Sequence, residues 1–550
     1  MHNLDKKIYK TISSDKKYTD IKKDLTTFYW SRKDKQIMSK IIENFTSEGD
    51  VIFDPFLGSG PILFSLDQSN KNLHFVGSEI NEMPLAFVKF NLTDLNLGQL
   101  DYIKRNFLTF YEKYKNLYEY ENPLLNDEKI LISKIILDKH EEGYIPKKFI
   151  FEGKEKLFID RADENLFKKL KLSYQNRCLK LEKYKKIYDI DLLPNSRIAI
   201  KKGMRMSHLF NSINFHVLNE YSKEFKNNDV MITFLASVLH LCRLTDLKSQ
   251  SQFPFWVPKK DAVERNVLTL LKKRIEKVCK EKNDNTLELE LVTNFKTFKK
   301  KKKSVYLLSK PCQTITEKDL PDKAVDIVIT DPPYFDQVAY SEYLKIWEFF
   351  CDYKSQLKNE LIYSNREVEA SNKENYLENL YHCFSLVAKK LKDNGLSIIF
   401  FKDSKPQNID LFIKQMEKCG LKFIKTCHLE KKKYTYKQNT TQNTTVGGEC
   451  LFFFKKCSIK TKKITKKFEN KNQINKEIEK VTLNFLKKNY AKNDEASLGE
   501  LYDSGLILRL YDENLLKYII NSKQIVSILE SNLLKSKNRK YKIDTRKIER

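Results

Sequence analysis

The sequence predicts an α/β protein with a doubly wound, mainly parallel sheet, and two segments carry this prediction. Residues 325–329 form a short apolar run rich in β-branched residues, which is typical of a strand buried on both faces. Residues 51–79 read as a strand, a glycine turn, a helix and a second strand. Strands that alternate with helices are typical of parallel sheets. At 550 residues the chain exceeds one ordinary domain, so additional domains are expected.

Residues 51–60, VIFDPFLGSG, contain the first strand of this segment and the acidic, glycine-rich turn that follows it. Gly58 and Gly60 would let the backbone approach a ligand closely, and the helix start beyond them offers N–H groups. Glu79 ends the next strand, where dinucleotide-binding folds use an acid to accept hydrogen bonds from a ribose diol. By itself the glycine pair is equally typical of any nucleotide-binding turn.

The strand at 325–329 leads into DPPY, residues 331–334. Asp331 then lies outside the carboxyl end of a strand, where open α/β sheets bind their ligands. Pro332 has no N–H and offers only its carbonyl, so it and Asp331 would form two acceptors that face one way. With the flat ring of Tyr334 they suit a planar amine, although a stiff turn without chemical function is the alternative.

The pair FDPFLGSG and DPPY resembles the motif pair of amino-group DNA methyltransferases that use S-adenosylmethionine, particularly the adenine-N6 group. The segment FYWSRKDKQIMSKIIENF also resembles the N-terminal, cofactor-contacting segment of that family. The resemblance implies a cofactor site that contains Asp54, Phe56, Gly58, Gly60 and Glu79. It implies a catalytic site that contains Asp331, Pro332, Pro333 and Tyr334.

The order of the motifs implies a domain arrangement. The glycine motif, a long intervening segment and then DPPY resemble the arrangement in which target recognition is inserted into a Rossmann-like methyltransferase core. The predicted units are a lead-in at 1–25, a catalytic domain at 26–100 and 301–457, an inserted target-recognition region at 101–300, and a lysine-rich helical C-terminal extension at 458–550.

The charge indicates a polyanionic partner. Lysine and arginine total 101 against 73 acids, which gives a net charge of +28 and supports nucleic acid as the partner. The family resemblance implies that this nucleic acid is double-stranded DNA. A lysine-rich compositional bias is the alternative. The candidate contacts to phosphate form a single run of lysines: Lys299, Lys300, Lys301, Lys302 and Lys303. The alternative interpretation of this run is a solvated loop.

A polar, proline-bearing segment supplies the other candidate nucleic-acid contacts, Gln250, Gln252 and Trp256. A proline-broken connection whose aromatics cover the core is at least as good an interpretation. The ten cysteines include no C-x-x-C pair, so no metal is expected and the thiols fit a reduced, cytoplasmic protein. No apolar run approaches the roughly 18 residues that a membrane span needs.

The sequence therefore predicts a site-specific DNA methyltransferase that transfers a methyl group from S-adenosylmethionine to the N6 amino group of a flipped adenine. A restriction-modification or defence system, with a restriction or defence partner protein, is one setting that would suit this activity, and the sequence does not disclose whether such a partner exists. Cytosine-N4 DNA methyltransferases and RNA amino-group methyltransferases share the motif pair and remain alternatives. A non-catalytic nucleic-acid-binding subunit is the alternative from a different class.

Overall fold

The fold is taken from a computed structural model of the protein. The structure describes residues 33–121, 128–141, 143–153, 157–195, 198–247, 254–284, 287–298, 300–335, 340–356, 359–363, 372–403, 405–429, 449–457, 468, 470–489, 495–497, 505–531, 533–535 and 540–543.

Helices and strands alternate along much of the described chain. The helices are α1 (Lys35–Phe45), α2 (Pro61–Asp67), α3 (Glu82–Leu92), α4 (Leu97–Tyr114), α5 (Glu164–Tyr188), α6 (Ser212–Glu224), α7 (Asp229–Cys242), α8 (Val267–Asp284), α9 (Tyr340–Tyr343), α10 (Lys345–Cys351), α11 (Lys373–Lys390), α12 (Pro406–Lys418), α13 (Lys471–Asn489), α14 (Leu506–Asp512) and α15 (Lys523–Ser531). The strands are β1 (Val51–Asp54), β2 (His74–Glu79), β3 (Glu119–Glu121), β4 (Lys129–His140), β5 (Gly143–Phe151), β6 (Phe158–Asp160), β7 (Thr245–Asp246), β8 (Ala262–Arg265), β9 (Glu290–Val292), β10 (Ser304–Ser309), β11 (Val325–Thr330), β12 (Leu391–Phe400), β13 (Leu421–Leu429), β14 (Glu449–Lys456), β15 (Glu495–Ser497), β16 (Leu533–Lys535) and β17 (Lys540–Ile543).

The largest sheet has eight strands in the order β13-β14-β12-β11-β1-β2-β10-β9. All neighbouring pairs from β9 to β12 are parallel, whereas β14 runs antiparallel to both β12 and β13. The predicted α/β class with a large, mainly parallel sheet is therefore confirmed. The direction of chain progression reverses at β1, since β2 lies on one side of it and β11 on the other. Such switch points are where open α/β sheets bind ligands.

Both faces of this sheet are buried, which explains why its central strands are apolar throughout. Ile52 and Ile327 pack into a core with α1 and α2, whereas Phe53 and Val328 pack on the opposite face. The core on this opposite face also includes residues of α11 and α12. The alternation along each strand thus distributes side chains between two helical layers, as a sheet of parallel strands requires.

The C-terminal helices belong to the core of the same sheet. Ile478, Leu510 and Leu529 are buried in one cluster with Phe53 of β1. The predicted C-terminal extension also contains strands, since β15, β17 and β16 form a small antiparallel sheet. The sequence-based description of this extension as helical was therefore incomplete, because such short strands carry too little apolar alternation to be distinguished from loops.

A second core is built mainly from the residues that lie between the glycine motif and β9 in the sequence. It contains an antiparallel sheet in the order β6-β5-β4-β8-β7, with β3 beside β4, and residues of helices α4 to α8. Its boundaries differ from the predicted 101–300, because α4 begins at Leu97 and β9 already belongs to the large sheet. Trp347 and Phe350 of α10, which follow the DPPY motif, are also buried in this second core.

The helices offer no candidate for a membrane span. Within the described residues, none combines the length and the apolar character that crossing a bilayer demands.

Candidate active site

Three acidic side chains meet at one edge of the large sheet. Asp54 ends β1, Glu79 ends β2, and Asp331 directly follows β11. Because β1 lies between β2 and β11 and all three strands are parallel, their carboxyl ends lie side by side. The structure therefore brings together the two motifs, which are far apart in the sequence.

Asp54 is held from two directions. Its Oδ1 accepts a hydrogen bond from Thr330 Oγ1 at 2.6 Å and another from the Phe56 backbone N–H at 3.0 Å. Burial raises the pKa of the Asp54 carboxyl to about 7, and these hydrogen bonds only partly oppose that rise. Phe56 itself packs against Phe384, with ring centroids 6.0 Å apart.

Glu79 fastens the glycine turn to the end of β2. Its Oε2 accepts from the Gly58 N–H at 2.8 Å and its Oε1 from the Asn81 N–H at 2.9 Å. Burial raises the pKa of the Glu79 carboxyl to about 7. The donors to Asp54 and Glu79 are neutral groups, so the site presents two buried acids that a cationic ligand would favour in their ionised form.

The glycines are needed for the shape of this turn. Gly58 and Gly60 have φ angles of 54° and 64°, in the left-handed region that favours glycine. A Cβ on Gly60 would also lie 2.9 Å from Val88 Cγ2. The predicted supply of N–H groups from the helix start is smaller than expected, because Pro61 has none and the Leu63 N–H already donates to the Gly60 carbonyl.

The catalytic candidates form a closed set of polar contacts with a lysine. Asp331 Oδ2 lies 3.1 Å from Lys33 Nζ, and Asp331 Oδ1 accepts from the Tyr334 hydroxyl at 2.5 Å. Lys33 Nζ also donates to the Tyr334 hydroxyl oxygen at 3.1 Å. The carbonyl of Pro333 accepts from the Tyr376 hydroxyl at 2.7 Å, and Pro332 is buried.

The Tyr334 ring is turned into the protein. It is 7% exposed and meets Phe401 edge-on, with the centroids 5.3 Å apart. For its flat ring to stack on a planar amine such as a base, Tyr334 would have to leave this position, and that stacking role stays a prediction. The sequence carries no residue-level signal for Lys33 at this site, although Lys33 belongs to the segment that resembles the cofactor-contacting segment of the methyltransferases.

A polar chain joins this site to the helix that follows it. The Ser341 hydroxyl donates to Asn81 Oδ1 at 3.3 Å, and the Ser341 N–H donates to Glu360 Oε1 at 2.9 Å. The adjacent Glu342 accepts at 2.9 Å from the side-chain amide of Asn195, which belongs to the second core's part of the chain. The segment after DPPY is thereby tied both to the glycine-motif side and to the intervening region.

The lysine run does not lie beside this site. Lys300, Lys301 and Lys302 are exposed and precede β10, so they lie at the sheet edge opposite Asp54, about 20 Å away along six strand residues. Lys301 forms an ion pair with Glu290 at 2.8 Å. Lys299 lies outside the described residues.

The prediction for Lys303 is wrong. Its side chain is buried, and its Nζ donates to the carbonyls of Asp67 and Ser69 at 2.9 and 2.8 Å and pairs with Glu288 at 3.0 Å. Lys303 therefore closes the C-terminal end of α2, where cationic side chains are favourable, and cannot reach a phosphate.

Of the other nucleic-acid candidates, the structure describes Trp256. It is partly buried, and its Nε1 donates to Asp246 Oδ1 at 3.3 Å while its carbonyl accepts from Arg243 at 3.2 Å. Lys259 lies over the indole, 5.4 Å from its centroid. Gln250 and Gln252 lie outside the described residues.

With this geometry, the fold and the site define an enzyme class. The sequence profile of the DNA methylases, a family of N6- and N4-type amino-group methyltransferases, matches residues 5–88 and 325–543, together more than half of the chain. The protein belongs to this family of DNA methylases. The match contains both motifs and resumes at the first residue of β11. Comparison with curated proteins gives no match.

Proposed function

We propose that the protein is a site-specific DNA methyltransferase that uses S-adenosylmethionine to methylate N6 of an adenine flipped out of double-stranded DNA. The observation that carries this proposal is the adjacency of β1 and β11, which places the acid of the glycine motif and the acid of DPPY at one switch point. The aspartate at the start of DPPY favours adenine over cytosine as the target.

The residues at the ends of β1 and β2 fit this cofactor. S-adenosylmethionine is a cation with a ribose diol, and when bound it supplies an electrophilic methyl group. Glu79 would accept from the ribose hydroxyls, and Asp54 would favour the positive charge of the ligand across a short distance. Gly58 would give the ligand close access to the backbone, within a Rossmann-like core.

Asp331 and the Pro332 carbonyl would act on the target amine. The nitrogen lone pair of an aromatic amine is delocalised into the ring, so it is a poor nucleophile. Two acceptors that bind its hydrogens favour a more tetrahedral nitrogen and aim its lone pair at the methyl group. Asp331 would also stabilise the positive charge that develops on the nitrogen. Alignment and electrostatic stabilisation then supply most of the rate enhancement.

Sequence recognition would come from the second core. A pocket that accepts any adenine needs another surface to select among them, and base-edge contacts supply that selection. The contact between Asn195 and Glu342 at 2.9 Å supports this assignment, because it joins that region directly to the segment after DPPY. Trp256 remains the described candidate for such a contact, and the exposed Lys300, Lys301 and Lys302 would add attraction for phosphates.

The test is to incubate the protein with defined DNA and RNA and labelled S-adenosylmethionine, and then to digest the products to nucleosides. Label in N6-methyladenosine from DNA would support the proposal. Label in N4-methylcytosine or in RNA nucleosides would replace it by the corresponding alternative. No transfer to any substrate would favour a non-catalytic subunit. Methylation-sensitive sequencing of DNA from expressing cells would identify the site. Cleavage of the unmethylated form of that site by a nuclease from the source cells would establish a restriction setting.

A further inference from the structure

Lys33 occupies the place beside the catalytic acid. Its Nζ is 3.1 Å from Asp331 Oδ2 and donates to the Tyr334 hydroxyl oxygen at 3.1 Å. The same Nζ lies 5.4 Å from the Tyr334 ring centroid and 5.2 Å from that of Phe400. Only 9% of the Lys33 side chain is exposed. The ammonium is therefore enclosed between two aromatic rings and a carboxylate.

An ammonium and an exocyclic amine both need a hydrogen-bond acceptor at this site. Both are nitrogen donors of short hydrogen bonds, and both are satisfied by a carboxylate oxygen. A target amine placed against Asp331 would compete with Lys33 for Oδ2 and for the space between Tyr334 and Phe400. In addition, an ammonium that remained there would oppose the positive charge that develops on the attacking amine.

We infer that Lys33 occupies the binding position of the target amino group. It pairs with Asp331 in the enzyme without a base and is displaced when the base enters. The inference rests on the proposed function and adds a positioning residue to it. Lys33 keeps Asp331 paired and Tyr334 turned inward, so the closed arrangement and the base-filled arrangement are two states in competition.

This competition lowers the population of extruded base by one fixed factor. The factor is the same for every DNA site, because the displaced contacts are all within the protein. Removal of the ammonium should thus favour base entry without changing which sites are methylated. If Lys33 merely stabilised the fold, its replacement would not raise the population of extruded base.

The experiment places 2-aminopurine, whose fluorescence rises when a stacked neighbour leaves, directly beside the target adenine of a duplex that carries the identified site, so that the target keeps its N6 amino group. Lys33→Met should raise the ratio of extruded to stacked base by about threefold or more. Lys35→Met is the matched control: it removes the same charge two residues away, where the Lys35 ammonium lies 3.8 Å from the Phe64 ring centroid. The control should match the wild type.

Tyr334→Phe provides a second route if Lys33→Met does not fold. It deletes the hydroxyl that contacts both Lys33 and Asp331 but keeps the ring, so extrusion should again increase. Unchanged or reduced extrusion in the folded variants would overturn the inference. So would a loss of S-adenosylmethionine affinity in Lys33→Met with extrusion unaltered, because Lys33 would then serve the cofactor. If the inference fails but the wild-type enzyme methylates DNA, the proposed function stands. If the wild-type enzyme transfers no methyl group, both the proposed function and the inference fail.

Discussion

Thr330 and Asp54 are joined by a hydrogen bond across two neighbouring strands, with Thr330 Oγ1 2.6 Å from Asp54 Oδ1. Thr330 ends β11 and immediately precedes Asp331, whereas Asp54 ends β1. One hydroxyl therefore sets the position of the acid in the glycine motif relative to the acid in DPPY. It also opposes the rise in the Asp54 pKa that burial causes.

Thr330→Val keeps the shape of the side chain and removes this donor. The Asp54 carboxylate would lose a buried hydrogen bond, so its pKa should rise further and the affinity for S-adenosylmethionine at pH 7 should fall about tenfold. Calorimetric titration measures the effect, with Thr330→Ser as the control that retains the hydroxyl. Equal affinities for Thr330→Val and the wild type would remove Asp54 from the cofactor site.

Cofactor affinity should depend on pH. Burial holds the pKa values of Asp54 and Glu79 at about 7, so both carboxyls are mostly protonated at pH 6 in the empty site. A cationic ligand favours the ionised forms, and binding therefore releases protons and strengthens as the pH rises from 6 to 8. The gain is roughly tenfold for each carboxyl that ionises.

Calorimetry in buffers of different ionisation enthalpy measures that proton release directly. Asp54→Asn should bind more weakly and should release fewer protons than the wild type. A pH-independent affinity in the wild type would mean that neither carboxyl ionises on binding.

Asp331→Ala should nearly abolish methyl transfer while leaving cofactor binding in place. The variant removes one of two acceptors that orient the target amine, and loss of a well-placed catalytic contact costs on the order of 10²-fold or more. Single-turnover transfer of labelled methyl groups measures the rate, and calorimetry checks the cofactor. Activity within a few-fold of the wild type would refute the role assigned to Asp331.

Lys303 and Lys302 are adjacent in sequence but should differ in what they contribute. Lys303→Met leaves the Asp67 and Ser69 carbonyls at the end of α2 without their buried donor, and should lower the free energy of unfolding by about 2 kcal/mol. Lys302→Met replaces an exposed side chain and should change the free energy of unfolding by less than about 0.5 kcal/mol. Urea denaturation compares the two, and equal effects would contradict the capping role.

Trp256→Ala should alter the set of methylated sites. The indole is partly buried in the region assigned to recognition, and loss of a base contact typically relaxes selection at one position. Sequencing of methylated DNA gives the site distribution, and Tyr102→Ala, which removes a 57% exposed aromatic of α4, is the control. An unchanged distribution in Trp256→Ala would assign this residue to packing alone.

The sheet and the meeting of the acids could be predicted because they depend on local patterns. A buried strand that ends in an acid is visible within ten residues, and parallel strands then bring such ends together. Lys303 and Lys33 could not be predicted in the same way, because a lysine has the same sequence context whether its ammonium meets solvent, a helix end or a carboxylate. Only the tertiary fold reveals that Lys303 lies against Asp67 and that Lys33 lies against Asp331.

The place of α10 in the second core could not be predicted for a related reason. Apolar residues at helical spacing in 340–351 indicate a buried face but not the partner of that face. In the structure, Trp347 donates from its Nε1 to the Ala236 carbonyl of α7 at 2.8 Å, so this helix completes a core built mostly from an earlier stretch of the chain.

The shared position of α10 limits how this enzyme could be re-engineered or recombined. A chimaera that exchanges residues 97–284 for the corresponding region of a relative would leave Trp347 and Phe350 facing a foreign surface. If the second core recognises the target sequence as proposed, a transferable specificity module would consist of three pieces: residues 97–284, residues 340–351 and the face of α3 that carries Met83, Phe87 and Phe90. Recombination that moved only the first piece would be expected to yield insoluble protein rather than an enzyme with a new target.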